Sequence, residues 1–152
     1  IRLTGGSNNP IINKTDYNFK IGKSITLKEG KDIVIFSSGS ILNETLMAAR
    51  SLQNEGISTK VVNMHTIKPI DENVIKNAIQ NFKLIVSVEE HNIIGGLGSS
   101  ISEFKSTLKT SPKQLFLGIK DTYSKGGTYN YLLNKHGLTS EKIVENVLLN
   151  LE

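Results

Sequence analysis

Short apolar runs alternate with amphipathic stretches along most of this 152-residue chain, and that alternation constrains its fold more than any other feature. Each run is rich in β-branched or aromatic residues and is followed by turn formers, which is typical of strands covered on both faces. Between the runs, apolar residues recur at three- and four-residue spacing, which predicts helices. The pattern therefore predicts an α/β fold with three layers, in which helices flank a mostly parallel sheet. The predicted strands are residues 33–36, 59–64, 84–88 and 114–119.

Polar residues and glycines indicate where the helices begin and end. Ser40 is expected to cap the first helix, which should end at Gly56. Asp71 is expected to cap the second helix, and Ser140 the last one. A further helix is predicted over residues 129–135.

The first 27 residues differ from the rest of the chain. Residues 4–10 are turn formers without periodicity. We therefore expect residues 1–27 to be a linker and residues 28–152 to be the folded domain. Because the first residue is Ile1 rather than Met, we also expect further polypeptide ahead of it.

Composition limits the classes of function. The sequence has no cysteine, which removes disulfides and thiolate chemistry and favours a cytoplasmic protein. The net charge is +4, from 18 basic and 14 acidic residues. The lysines are scattered, whereas nucleic-acid binding needs a clustered basic surface. No apolar stretch approaches the roughly 20 residues of a membrane span. We therefore expect neither nucleic acid nor membrane as a partner.

Three polar segments directly follow predicted strands. The carboxyl ends of parallel strands share one edge of a sheet, and open α/β sheets bind ligands or partners there. We expect this edge to carry the unusual chemistry of the chain. The segments are residues 37–40, 64–68 and 89–96.

The segment after the third predicted strand contains Glu89, Glu90 and His91. Two carboxylates and an imidazole so close together could form an acid–base group. Along an extended chain, however, Glu89 and His91 face one way and Glu90 faces the other, so the three cannot converge unless the chain turns. The alternative is a polar strand end that bonds loop backbone or a partner.

Glycines follow in the same segment and open the next helix. Gly95, Gly96 and Gly98 allow positive φ and close backbone approach, and the amides near Gly98 and Ser99 could hold an anion. The spacing matches neither a dinucleotide-binding fingerprint nor a P-loop. The alternative is a tight turn that packs against neighbouring chain.

The remaining candidates lie in loops. His65 and Lys68 follow the second predicted strand and could meet a phosphate or simply be solvated. His136 lies near a helix end, where a cation is favoured by the helix dipole. Together with His91, these histidines have no close ligand spacing, so we expect no metal site in the chain.

Several segments, in order along the chain, resemble the C-terminal domain of transketolases, and the segment over residues 88–99 is similar to that of split bacterial and archaeal forms. Residues 67–71, 118–121 and 136–139 continue the resemblance, and residues 1–3 resemble the end of a preceding pyrimidine-binding domain. Residues 124–126 depart from the family pattern, which is more acidic there. Deoxyxylulose-phosphate synthases and the beta subunits of 2-oxoacid dehydrogenases share this type of domain.

The resemblance implies a part of an enzyme rather than a complete catalyst. Thiamine diphosphate and Mg²⁺ would be held by upstream thiamine-diphosphate-binding and pyrimidine domains, on the same chain or on a separate subunit. The reaction would move a two-carbon ketol unit between sugar phosphates in a homodimer, and the fragment alone would be inactive. No catalytic residue or metal ligand is assigned to this chain. The candidates for the substrate entrance or an interface are His65, Lys68, Glu89, Glu90, His91, Gly95, Gly96, Gly98 and Ser99.

Two other functions compete with this one. The chain could be the corresponding domain of a deoxyxylulose-phosphate synthase or a partner-docking module of a 2-oxoacid dehydrogenase beta subunit. It could also be a free-standing binder of nucleotides or anions at the helix start near Gly98.

Overall fold

A five-stranded sheet organises the computed structural model, which describes residues 10–13 and 16–151. The strands are β1 (Ile25–Lys28), β2 (Ile33–Ser38), β3 (Thr59–Asn63), β4 (Leu84–Asn92) and β5 (Lys113–Ile119). Their order in the sheet is β1-β3-β2-β4-β5. Strands β2, β3, β4 and β5 are parallel to one another, and β1 is antiparallel to β3. The predicted mostly parallel α/β sheet is confirmed.

Helices cover both faces of the sheet and complete three layers. One face carries α1 (Leu42–Asn54), α4 (Tyr129–Lys135) and α5 (Ser140–Leu151), and the other carries α2 (Glu72–Asn81) and α3 (Leu97–Ser106). Alternate strand residues feed the two layers: Ile33 and Ile35 pack against the first set of helices, and Val34 and Phe36 against the second. These β2 side chains are at most 1% exposed. Burying each one stabilises the fold by about 1.5–3 kcal/mol.

Strand β1 is the element that the sequence pattern did not reveal. The predicted linker does not extend unbroken to Leu27, because Ile25–Lys28 pairs with β3 and the ladder shifts register between Thr26 and Lys28. The alternation in this strand is too short, and too close to turn formers, to stand out as a strand. The predicted end of a preceding domain, residues 1–3, lies outside the described residues.

The direction of β1 determines where the chain enters the sheet. Ile25 is the register partner of Asn63, the last residue of β3, so the preceding segment approaches at the carboxyl edge. There the Asp71 carboxylate accepts hydrogen bonds from the backbone N–H and the hydroxyl of Ser24, at 2.9 and 3.1 Å. These bonds anchor the chain to the start of α2 before β1 begins.

Three predicted helix caps are corrected in the structure. Ser40 lies inside a 3-10 turn, Gly39–Ile41, that precedes α1, so its hydroxyl does not cap that helix. Asp71 is at the N-cap position of α2, but its carboxylate binds Ser24 instead of the helix amides. At α5 the capping hydroxyl belongs to Thr139, which accepts from the Lys142 N–H at 3.4 Å. Ser140 is already the first residue of that helix.

Candidate functional site

The three polar segments meet at the carboxyl edge of the sheet, as predicted. From β2 the chain crosses to β3 on one side, and from β3 it crosses back to β4 on the other side. The loop after β2 therefore lies at a topological switch point, the place where open α/β sheets form a crevice. The loops after β3 and β4 flank it, with their strands two spacings, or about 10 Å, apart.

Glu89 is the best-defined group at this edge. Its side chain is only 3% exposed, and both carboxylate oxygens accept backbone hydrogen bonds from the first turn of α3. The donors are the N–H of Leu97, at 2.7 Å, and the N–H of Gly98, at 2.9 Å. A carboxylate at a helix N-terminus is favoured by the helix dipole and by two charge-assisted hydrogen bonds. The anion that the sequence predicted at this helix start is therefore matched by a side chain of the chain itself.

Two of the glycines next to Glu89 each have a structural explanation. A Cβ on Gly96 would collide with the Glu89 carboxylate, so only glycine lets the backbone pass there. Gly95 has φ +76°, in the left-handed region that favours glycine. Its N–H donates to Ser99 Oγ at 2.9 Å, and that hydroxyl donates to the carbonyl of Ile93 at 3.0 Å. Gly95, Gly96, Gly98 and Ser99 thus form one tight turn around the carboxylate.

Glu90 and His91 follow the alternation expected for an extended strand. His91 is on the same side as Glu89, with Nδ1 3.9 Å from a carboxylate oxygen, but Nδ1 lies 2.8 Å from the Asn92 carbonyl oxygen. That nitrogen therefore donates to the carbonyl, and Nε2 is free of this contact. The structure does not bring the three side chains together as one acid–base group.

Glu90 instead ties three elements together on the other side of the strand. Its carboxylate accepts hydrogen bonds from the hydroxyl of Ser40, in the 3-10 turn, and from the phenol of Tyr129, at 2.9 Å. Partial burial raises the pKa of the Tyr129 phenol above its usual value, and the bond to the Glu90 carboxylate raises it further. Neither Ser40 nor Tyr129 was predicted as a site residue, because contacts between distant parts of the chain leave no sequence pattern.

The end of β3 and the loop that follows it contain two buried polar atoms, one on Asn63 and one on His65. His65 Nδ1 lies 3.0 Å from the Thr66 hydroxyl, and its ring packs on Phe19 with ring centroids 4.6 Å apart. His65 Nε2 and Asn63 Oδ1 are buried, yet neither has a hydrogen-bond partner in the part of the chain that the structure describes. Asn63 is only 6% exposed, so its unpaired oxygen is costly. Lys68 is exposed and lies three residues after His65 in the same loop.

The other candidates do not converge on a metal site. Within residues 10–13 and 16–151, no group of three or more His, Cys, Asp or Glu side chains is placed to hold a metal ion. His136 is the C-cap residue of α4, and its Nε2 is hydrogen-bonded to the Ser124 hydroxyl.

None of the helices in the described ranges combines the length and apolar character needed to cross a membrane.

Comparison with known proteins identifies the family. Residues 22–143 match the family described as Transketolase, C-terminal domain. The chain belongs to this family. The resemblance inferred from residues 67–71 and 88–99 is confirmed.

Relatives with the same domain include both separate subunits and longer chains. The chain is 35% identical over 133 residues to the 6-deoxy-6-sulfo-D-fructose transketolase subunit of Clostridium sp. (strain MSTE9), covering 88% of this chain and 41% of the relative. It is 36% identical to one of the subunits of the apulose-4-phosphate transketolase of Actinobacillus succinogenes, covering 97% and 48%. It is 38% identical to the 1-deoxy-D-xylulose-5-phosphate synthase of Carboxydothermus hydrogenoformans, covering 81% and 20%. The transketolase C-terminal domain described here therefore spans less than half of each of these relatives.

Solved structures agree with this assignment. A structure described as a split gene transketolase, inactive beta4 tetramer, superposes with a TM-score of 0.83 at 34% identity, covering 91% of this chain and 44% of that one. The transketolase of Campylobacter jejuni shares the fold, with a TM-score of 0.65 at 18% identity over 90% of this chain and 20% of that one.

Proposed function

We propose that this chain is the C-terminal domain of a thiamine-diphosphate-dependent transketolase that moves a two-carbon ketol unit between sugar phosphates. In this proposal two further domains, on the same chain or on a partner subunit, hold the cofactor. The assembly contains two copies of each domain and works in the cytoplasm. The chain alone has no turnover.

The observation that carries the proposal is the composition of the carboxyl edge. Asn63 Oδ1 and His65 Nε2 are buried and have no hydrogen-bond partner within residues 10–13 and 16–151, and the loops at this edge also expose large apolar side chains. Ile67 is 40% exposed and Ile94 is 68% exposed. Apolar surface combined with unsatisfied polar groups favours a surface that another folded unit covers. Residues 16–24 approach the sheet at this same edge, which supports an upstream unit there.

Within such an assembly the residues of the edge have different tasks. Glu89 and the turn from Gly95 to Ser99 keep the carboxyl end of β4 and the start of α3 rigid, because their polar groups are hydrogen-bonded to one another. His65 Nε2 and the Lys68 ammonium would meet a sugar phosphate or a neighbouring domain at the substrate entrance. Their contribution is binding and orientation rather than proton transfer.

The cofactor belongs to the other domains in this proposal. Mg²⁺ prefers several oxygen ligands that converge on one point, and the described residues provide no such carboxylate group. When bound, thiamine diphosphate supplies the carbon chemistry, and the surrounding protein supplies orientation and electrostatics. This chain would close one wall of the site and exclude water from it.

Reconstitution tests the proposal directly. The 152-residue chain is assayed for ketol transfer from a ketose phosphate to an aldose phosphate, alone and with the portion of the protein that carries the other two domains. We expect cofactor-dependent transfer only in the combined sample. Turnover by the chain alone would overturn the claim that the chemistry lies elsewhere.

The same sample distinguishes the second candidate function. The identity to a 1-deoxy-D-xylulose-5-phosphate synthase is as high as that to the transketolase subunits. Pyruvate and an aldose phosphate are therefore supplied in a parallel assay. Release of carbon dioxide with condensation, in place of ketol transfer, would favour the synthase.

A surface variant tests the covered edge separately from catalysis. Ile94→Asp introduces a charge where the proposal places an apolar contact, so it should weaken association of the two portions about tenfold or more. Leu149→Asp is the matched control, because Leu149 is 71% exposed but lies on α5, away from this edge. Analytical ultracentrifugation measures the association. Equal weakening by both variants would contradict a specific interface.

A further inference from the structure

The outer edge of β5 has no strand partner in the described part of the molecule. This strand is seven residues long and pairs with β4 alone, at the opposite end of the sheet order from β1. An edge strand of this length presents a row of backbone N–H and C=O groups that can pair with another chain. At its carboxyl end this strand adjoins the loop after β4, because the N–H of Ile93 donates to the carbonyl of Ile119.

The strand geometry shows which backbone groups face outward. The carbonyl of Ile119 accepts from the Ile93 N–H at 2.9 Å, so the backbone of Ile119 points toward β4. Successive residues of a strand point their N–H and C=O groups to opposite sides. The backbone groups of Gln114 and Phe116 therefore point to the open edge. Among the described residues, no loop or side-chain hydrogen bond reaches them.

A groove of about 540 Å³ runs along this edge. Its apolar lining residues include Ile93, Leu115 and Leu117, and Lys120 and Lys135 supply its cationic groups. His136 adds an imidazole. No carboxylate is among its lining residues. Lys120 and Lys135 are exposed and form no ion pair within the described ranges. We call this surface the β5 groove.

We propose that the β5 groove binds an extended acidic segment of another protein chain, which adds to the sheet as a strand beside β5. Backbone pairing with Gln114 and Phe116 would supply affinity, and alternate side chains of the segment would enter the groove. Charge identifies the partner: a carboxylate-bearing strand complements Lys120 and Lys135, whereas a second copy of β5 would bring like charges together.

Hydrogen exchange with a defined peptide tests the proposal. The probe is an acetylated and amidated heptapeptide, Thr-Glu-Val-Glu-Val-Glu-Thr, as long as β5 itself. It is added to the ¹⁵N-labelled 152-residue chain at millimolar concentration. We expect the Gln114 and Phe116 amides to exchange about tenfold more slowly. The Leu117 amide, which already faces β4, should change little.

Two control peptides separate strand pairing from charge. One carries the same glutamates but is N-methylated at every residue, so neither of its edges has an N–H to donate to the ladder. The other has lysine in place of glutamate. Both should fail to protect Gln114 and Phe116. Equal protection by either one would overturn the proposal.

Matched variants test the groove itself. Lys120→Glu combined with Lys135→Glu should weaken peptide binding about tenfold or more. The control, Lys20→Glu combined with Lys109→Glu, makes the same change in net charge at exposed positions that do not line the groove. Circular dichroism verifies that both variants are folded. The proposal is wrong if both pairs weaken binding equally, if millimolar peptide does not bind, or if the amides become protected through self-association without peptide.

Discussion

The carboxyl ends of β3 and β4 lie at one edge of the sheet, but their polar groups differ in whether the chain itself satisfies them. Near the end of β4, the buried Glu89 carboxylate accepts hydrogen bonds from the amides of Leu97 and Gly98. At the end of β3, Asn63 Oδ1 and His65 Nε2 are buried and have no hydrogen-bond partner among the residues that the structure describes. A buried charge is therefore a poor guide to reactivity here, since Glu89 is satisfied by its own chain. Asn63 and His65, at the end of β3, are therefore the better candidates for contact with a ligand or a partner in the proposed assembly.

The largest expected effect comes from removing the satisfied carboxylate. Glu89→Ala leaves two helix amides buried without an acceptor, so the free energy of unfolding should fall by about 3 kcal/mol. Urea denaturation measures this change. Glu103→Ala, on the exposed side of the same helix, is the control and should stay within about 0.5 kcal/mol of the unmodified chain. If the two variants lose similar stability, the hydrogen bonds of Glu89 do not stabilise the start of α3.

A second variant tests the packing that lets α3 approach the sheet. A Cβ on Gly98 would lie 2.5 Å from both Phe116 Cδ1 and Ser87 Oγ, so Gly98→Ala should cost about 1–3 kcal/mol despite the higher helix propensity of alanine. At Gly126 an added Cβ meets nothing within 4 Å. Gly126→Ala should therefore be nearly neutral in the same urea experiment. A neutral Gly98→Ala would mean that the helix start can shift freely.

A third variant probes the opposite side of the comparison. His65→Phe removes the unpartnered Nε2 and keeps a ring that can pack on Phe19. Nε2 contributes no hydrogen bond, and the Nδ1 contact with the Thr66 hydroxyl is the one that the substitution removes. The free energy of unfolding should therefore change by less than about 1 kcal/mol. Thermal unfolding monitored by circular dichroism measures it. A loss of unfolding free energy as large as that of Glu89→Ala would show that His65 is as important for stability as the hydrogen-bonded Glu89.

The smallest effect concerns Tyr129 and pH. Burial and the bond to Glu90 raise the pKa of this phenol, so the folded chain holds the phenolic proton more tightly than the unfolded chain. The associated stability is present below the unfolded pKa of about 10 and is lost as the pH rises through the folded value. Ultraviolet difference titration against Tyr129→Phe isolates this phenol. Glu90→Gln should move its midpoint to lower pH, and an unchanged midpoint would exclude Glu90 as a cause.

Local patterns in the sequence predicted the parallel strands and the edge that carries the polar segments. β-branched runs and helical spacing are properties of neighbouring residues, so β2 to β5 could be located without a structure. β1 could not, because a four-residue antiparallel strand is stabilised by β3 rather than by its own pattern. The position of Glu89 was predicted, but its bond to the helix amides depends on how α3 packs. The partners of Glu90 could not be predicted either, because the 3-10 turn and α4 are distant from it along the chain.

The reversed direction of β1 has a consequence for how the domain can be assembled with others. A parallel strand at that position would lead the preceding polypeptide away from the rim that holds His65 and Glu89. The antiparallel strand instead brings it to the carboxyl edge of the sheet, where the proposal also places the contact with another domain. In the proposed assembly, the same edge would therefore receive both the covalent connection to the upstream domain and its contact surface.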